Sequence, residues 1–204
     1  MPNPIVVDLS HYNTDVDFGR MRAAGVAGVI HKATQGTAYV DPAYAHRKPL
    51  ALQAGLLWGA YHFGTGDDVT GQVTNFLDAT RPDGTFLLAL DFEGHGSDSM
   101  SLPQAKQCLA TVETWTRQRP VLYTGDYLNE CVDNQPDPSL TPYRVWWAQY
   151  ASAPSRLNPT WPNYWLWQYS DGTNGPDEKV IDGASPCDCN AFNGNEAELR
   201  AAWL

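Results

Sequence analysis

The 204-residue chain predicts a single-domain α/β fold, a TIM-like barrel in which five strand–helix units are followed by three strands. Three observations carry this prediction. Eight short apolar, β-branched or aromatic runs recur along the chain, and helix signals fill the gaps between the first of them. Beyond Val145 the gaps hold Pro-, Asn- and Gly-rich loops instead. No internal repeat or linker interrupts the pattern, so residues 1–204 read as one domain, a size ordinary for a barrel.

The strand candidates are residues 5–8, 25–32, 56–63, 86–93, 121–125, 145–150, 165–170 and 187–192. After the first, Asp15 precedes Phe18, Met21 and Arg22 and opens a short helix. After the second, Asp41-Pro42 opens a stretch to Gln53 closed by Gly55, the order of cap, first-turn proline and terminal glycine that a helix prefers. Residues 69–79 carry Val73, Phe76 and Leu77 at helical spacing. Ser101-Leu102-Pro103-Gln104 reads as a capping box opening a helix to about Gln118, and a shorter helix fits residues 126–131. The loops over 153–162 and 171–183 replace the last helices.

Composition narrows the partners. With 43% hydrophobic and 18% charged residues the chain can bury a core. Thirteen Lys and Arg against 23 Asp and Glu give a net charge of −10, which argues against nucleic acid, whose phosphates are bound by clustered cations. No run of about 18 apolar residues exists, so no membrane insertion is expected, and residues 1–7 lack the pattern of a signal peptide. A monomer is expected. The four cysteines leave a Cys108–Cys131 bridge open, while Cys187 and Cys189, two apart on a strand, share the face opposite Asp188 and read as small core residues.

In such a barrel, chemistry sits at one end of the strands. Asp8 ends the first run, Asp91 and Glu93 end the fourth, and Asp188 lies in the eighth, which neighbours the first once the barrel closes. Strand alternation puts Asp91 and Glu93 on one face with Phe92 on the other. Two neighbouring carboxylates cannot both ionise easily, so one stays protonated near neutral pH, and Glu93, with the longer reach, is the candidate general acid. A cap, a salt-bridge partner or an oxygen-ligated cation site is the plain alternative for an Asp-x-Glu pair. No metal or cofactor is expected: the five histidines show no zinc spacing, and neither a Gly-x-Ser-x-Gly elbow nor a Gly-rich phosphate loop occurs. His62 divides evenly between a buried hydrogen-bonded role and a site role.

The eight Trp and ten Tyr add flat apolar faces with polar tips, which suit sugar rings. Tyr61, Tyr123, Trp147, Tyr150, Trp167 and Tyr169 are candidates for a cleft, although alternation cannot turn all of them inward.

The motifs Val7-Asp8-Leu9-Ser10, His31-Lys32-Ala33-Thr34-Gln35-Gly36, Tyr39-Val40-Asp41-Pro42, Gly59-Ala60-Tyr61-His62-Phe63 and Leu90-Asp91-Phe92-Glu93 occur in that order. Leu122-Tyr123-Thr124-Gly125, Trp147-Ala148-Gln149-Tyr150, Trp167-Gln168-Tyr169-Ser170 and Asp188-Cys189-Asn190 follow them. Together they resemble the glycoside hydrolase family 25 lysozymes, the Chalaropsis-type muramidases, over practically the whole chain. The resemblance implies a (β/α)5β3 barrel that hydrolyses the β-1,4 bond between N-acetylmuramic acid and N-acetylglucosamine in peptidoglycan glycan strands. It implies Glu93 as general acid, Asp91 as its partner, Asp8 and Asp188 as further active-site acids, and Tyr61, Tyr123, Trp147 and Gln168 near the sugar. Two departures stand out. Gln35 replaces a usual acid, leaving a missing charge or an amide hydrogen bond in its place, and Cys189 replaces an aliphatic residue.

Asp91 lies beside Glu93 rather than across the sugar, which favours attack by the substrate's own 2-acetamido oxygen, with net retention, over the ordinary two-carboxylate routes. A catalytically silent glycan-binding barrel would lack one of the strand-end acids. A chitinase would carry acids where Phe86 and Ala89 stand. Action on the wall, outside the membrane, without a leader in the sequence suits an endolysin held in the cytoplasm until released.

Overall fold

The computed structural model describes residues 5–176, 181–184 and 186–204. In chain order these form β1 (Ile5–Leu9), α1 (Phe18–Ala23), β2 (Val26–Gln35), β3 (Tyr39–Val40), α2 (Tyr44–Gln53), β4 (Leu57–Phe63), α3 (Val69–Thr80), β5 (Leu87–Asp91) and α4 (Leu102–Thr116). Then come β6 (Val121–Thr124), α5 (Asp126–Cys131), β7 (Val145–Ala148), β8 (Leu166–Ser170), β9 (Asp188–Phe192) and α6 (Glu196–Ala201). Eight strands close the barrel in the order β1, β2, β4, β5, β6, β7, β8, β9, and β9 returns to pair with β1. Two-residue β3 folds back on the end of β2 as a hairpin. Residues 1–4 of the N-terminal segment expected to lack a signal peptide, and residues 177–180 of the loop expected over 171–183, lie outside the described residues. Among the described residues no helix is long and apolar enough to cross a membrane.

All eight apolar runs are wall strands, and the five strand–helix units followed by three strands are present. The local capping chemistry explains the helix starts. Asp17, rather than Asp15, caps α1 by accepting from Arg20 N at 3.0 Å, and Phe18 and Met21 of that helix are buried. Ser101 and Gln104 form the reciprocal capping box of α4. Helix α2 begins three residues after Asp41, whose carboxylate accepts from Ala43 N at 2.9 Å and holds the preceding turn.

Two features go beyond the expectation. The last strand runs antiparallel to both neighbours. The chain leaves β8 at the mouth of the barrel, and among the described residues no helix carries it back to the opposite end, so β9 starts where β8 stopped. The second feature is α6, which an Asn195–Glu198 capping box starts directly after β9. It brings Leu199 and Trp203, both buried, under the barrel floor against Val6, Leu87, Val121, Leu166 and Phe192. The Trp203 indole donates to Trp58 O at 2.7 Å, and a Cβ on Gly28 would stand 3.0 Å from its ring, so the glycine lets the indole pack closely on β2.

Strand alternation divides the core. Side chains such as Val7, Val29, Trp58, Leu88, Leu122 and Trp147 face outward beneath the helices, and the opposite set fills the barrel. Cys187 and Cys189 lie in the outer layer, away from Asp188, as alternation requires. Cys108 is buried on α4 and Cys131 is exposed at the end of α5, and no disulfide joins them.

Candidate active site

The carboxylates named from the sequence meet at the mouth. Asp8, next to last in β1, faces inward, and the antiparallel register sets it directly opposite Asp188, the first residue of β9. The reversal of β9 therefore turns a strand start into a mouth position. Asp91 ends β5, paired across β6 with Tyr123, and Glu93 follows two residues later on the same side. Asp8 and Asp91 are 6% and 7% exposed, nearly removed from water.

Their protonation follows from burial and mutual repulsion. Burial pushes Asp188 up to about 10, reinforced by the Asp8 charge. Asp8 is also raised by burial, opposed by hydrogen bonds from Asp188, from Asn190 Nδ2 at 2.9 Å and from Gln168 Nε2 at 3.0 Å. With two amides donating to it, Asp8 is the member of the pair that carries the charge, and Asp188 holds the proton between them. Asp91 is raised well above the carboxylate range by burial and then by Glu93, while the Lys32 ammonium pulls the other way. Asp91 Oδ1 is buried and has no hydrogen-bond partner among the described residues. Burial, and then the Asp8 charge, raise Glu93 as well.

Glu93 opens onto a cavity of about 440 Å³ lined by Tyr123, Tyr127, Gln149, Tyr150 and Arg156. Tyr61 and Tyr123 point inward, packed against Trp146 with ring centroids 6.4 and 4.6 Å away. Trp147 is a correction: it is fully buried in the outer layer, and the inward indole of β7 is its neighbour Trp146, which donates to Asn190 Oδ1 at 2.6 Å. One position along a strand reverses the face. Trp167 and Tyr169 likewise pack outward, so neither lines the cleft. Gln168 does face the barrel, but it is 2% exposed and its amide is engaged: Oε1 accepts from Tyr123 at 2.9 Å while Nε2 donates to Asp8. It orients the acids rather than offering itself to a sugar.

Three residues of the site carried no assignment from sequence. Asn190 and Trp146 form the second support of Asp8, and Lys32 projects inward from β2 near Asp91. Lys32 Nζ donates to Gln35 Oε1 at 2.7 Å and lies 4.7 Å from the Phe63 ring centroid, so the position where an acid is usual supplies an amide acceptor. A lysine closing an apolar run on the inward parity of β2 was the available signal. His62 is a buried wall residue between Thr34 and Gln72, at 2.7 and 3.2 Å, with its pKa lowered by burial to about 4. Among the described residues no group of His, Cys, Asp and Glu could hold a metal ion.

Comparison with known proteins agrees with this geometry. Residues 7–177 match the model of the glycosyl hydrolases family 25. The N,O-diacetylmuramidase of a Chalaropsis species is 31% identical over 182 residues, covering 80% of this chain and 86% of that protein. Lysozyme M1 of Streptomyces globisporus is 29% identical over 213 residues, 96% of this chain and 69% of its own length. The crystal structure of a lysozyme from Streptomyces coelicolor superposes with a TM-score of 0.85 at 26% identity, over 100% of this chain and 98% of that one. With the match spanning the barrel from β1 past β8, the chain belongs to the glycosyl hydrolases of family 25.

Proposed function

We propose that the chain is a lysozyme that hydrolyses the β-1,4 bond between N-acetylmuramic acid and N-acetylglucosamine in peptidoglycan, with Glu93 as general acid. The muramidase and lysozyme relatives support the substrate class. The observation that carries the site assignment is the pair at the end of β5. Glu93 borders the open cavity with its proton favoured, and beside it Asp91 presents a buried oxygen that the protein leaves without a donor.

That pair suits substrate assistance. Glu93 gives its proton to the departing glycosidic oxygen as positive charge develops at the anomeric carbon. The 2-acetamido oxygen closes on that carbon from the other face, and Asp91 accepts the acetamido N–H and orients the group. Water then opens the ring, giving its proton to the Glu93 carboxylate, and the configuration is retained. Asp8 and Asp188 act as a buried, proton-sharing support behind this pair, and Tyr61 and Tyr123 shape the sugar side.

Mass spectrometry of digested wall is expected to show reducing-end muramic acid, and proton NMR to show the β-anomer first. An initial α-anomer sinks the retaining route. Wild-type protein is expected to clear suspended walls and Glu93→Gln to fail. Equal clearing refutes the acid assignment, and none by either, with glycan still bound, points to a silent binding barrel. The substrate lies outside the membrane, and we read the role as that of an endolysin acting as a monomer. Lysis only on co-expression with a membrane-permeabilising protein is the expected behaviour.

A further inference from the structure

The cavity in front of Glu93 does not end at its tyrosines. A second cavity of about 330 Å³ adjoins it and shares two lining residues, Asp126 and Arg156, which form an ion pair at 2.6 Å. The two spaces differ in chemistry. The first is lined by Tyr123, Tyr127 and Tyr150, the second by no aromatic ring. Its lining instead includes Asp126, Glu130 and Arg156, and among the described residues Arg156 is the one cation lining either cavity. A neutral sugar is held by ring faces and neutral hydrogen-bonding groups. A guanidinium whose partner is the single carboxylate of Asp126 fits a ligand that carries a free carboxylate.

The backbone that presents Arg156 is fixed from both sides. Its N–H donates to Gln149 Oε1 at 3.1 Å, and its carbonyl accepts from Asn129 Nδ2 at 3.0 Å. Asn129 is itself held by Asn158, a fully buried residue whose Nδ2 donates to Asn129 Oδ1 at 2.8 Å and whose Oδ1 accepts from Thr160. Buried amides thus tie α5, the 149–158 loop and the second cavity into one scaffold, while the guanidinium itself stays largely exposed. An exposed Arg–Asp pair contributes little stability, and an incoming carboxylate can replace Asp126 on the planar fork at small cost.

We infer that the second cavity is a peptide subsite: it receives the peptide substituent on muramic acid, whose free carboxylate pairs with Arg156. This rests on the peptidoglycan reading and adds a preference for peptide-bearing over denuded glycan. Two measurements test it. First, reducing ends released from intact walls are compared with those from walls stripped of peptide by an amidase. Arg156→Ala is expected to raise KM about tenfold more on intact walls than on stripped walls; Arg156→Lys is expected to recover part of that difference. Second, calorimetric titration with N-acetylmuramyl-L-alanyl-D-glutamate, against its amidated form, is expected to show a preference for the acid that Arg156→Ala abolishes. An equal effect of Arg156→Ala on both walls, or no effect on either wall or on binding, overturns the inference and leaves hydrolysis standing. Loss of all hydrolysis by wild-type protein with acid-selective, Arg156-dependent binding intact overturns the hydrolysis reading and supports the subsite.

Discussion

The two ends of the barrel interior are built from the same strands by opposite chemistry. At the floor Val6, Leu87, Val121, Leu166 and Phe192 meet Leu199 and Trp203 in a dry apolar plug. Two to four residues further along β1, β5 and β8 stand Asp8, Asp91 and Gln168, two carboxyl groups and an amide removed from water, with Asp91 Oδ1 lacking a partner among the described residues. The difference teaches where the fold holds its stability and where it gives stability up. The floor gains from area removed from water, whereas the mouth bears the cost of desolvated acids. That cost keeps a proton on a carboxyl group near neutral pH.

Substitutions at the two ends should therefore separate activity from stability. The largest effect expected is at the mouth: Glu93→Gln should lower the rate of wall hydrolysis by about 10²–10⁴-fold while the urea midpoint stays put or rises. A parallel fall in both would make Glu93 structural. At the floor, Trp203→Ala should cost about 3–5 kcal/mol by urea denaturation, with kcat of the folded fraction kept. If kcat collapses instead, the floor is coupled to the chemistry.

The response to pH sharpens the contrast between the mouth and the wall. Asp8, Asp91, Glu93 and Asp188 bind protons more tightly folded than unfolded, so their contribution is complete below their ordinary pKa near 4 and is lost as pH rises through the raised values, up to about 10 for Asp188. Asp188→Asn should flatten this alkaline decline in denaturation midpoints between pH 6 and 10. His31 and His62, buried neutral in the wall with pKa values lowered to about 4, do the reverse. Their contribution is present above about 6.5 and lost as pH falls toward 4. His62→Gln should flatten the acid limb without touching the alkaline one. The smallest effect lies outside both ends: Ser101→Ala should cost about 1 kcal/mol through the α4 cap and leave activity and both pH limbs unchanged.

Much of this was legible residue by residue. The strand-end positions of Asp8, Asp91 and Glu93 follow from period-two alternation, and the α4 start follows from four residues of local chemistry. Trp147 misled because two adjacent tryptophans offer the same composition on opposite faces, and only the partner strands decide which one is inside. Helix α6 was within reach, since Asn195 and Glu198 carry a capping box, but a single six-residue element after the last strand has too short a period to stand out.

By itself the sequence determined the eight-stranded α/β barrel, the five helices of its first units and the acids at its strand ends, because alternation, capping and turn chemistry act over a few residues. Only the tertiary structure decided that β9 runs backwards and brings Asp188 against Asp8, that Gln168 serves the acids, and that Arg156 stands between two cavities. Those facts depend on contacts between residues as far apart as Asp8 and Asn190, which closure of the barrel creates and no local pattern encodes.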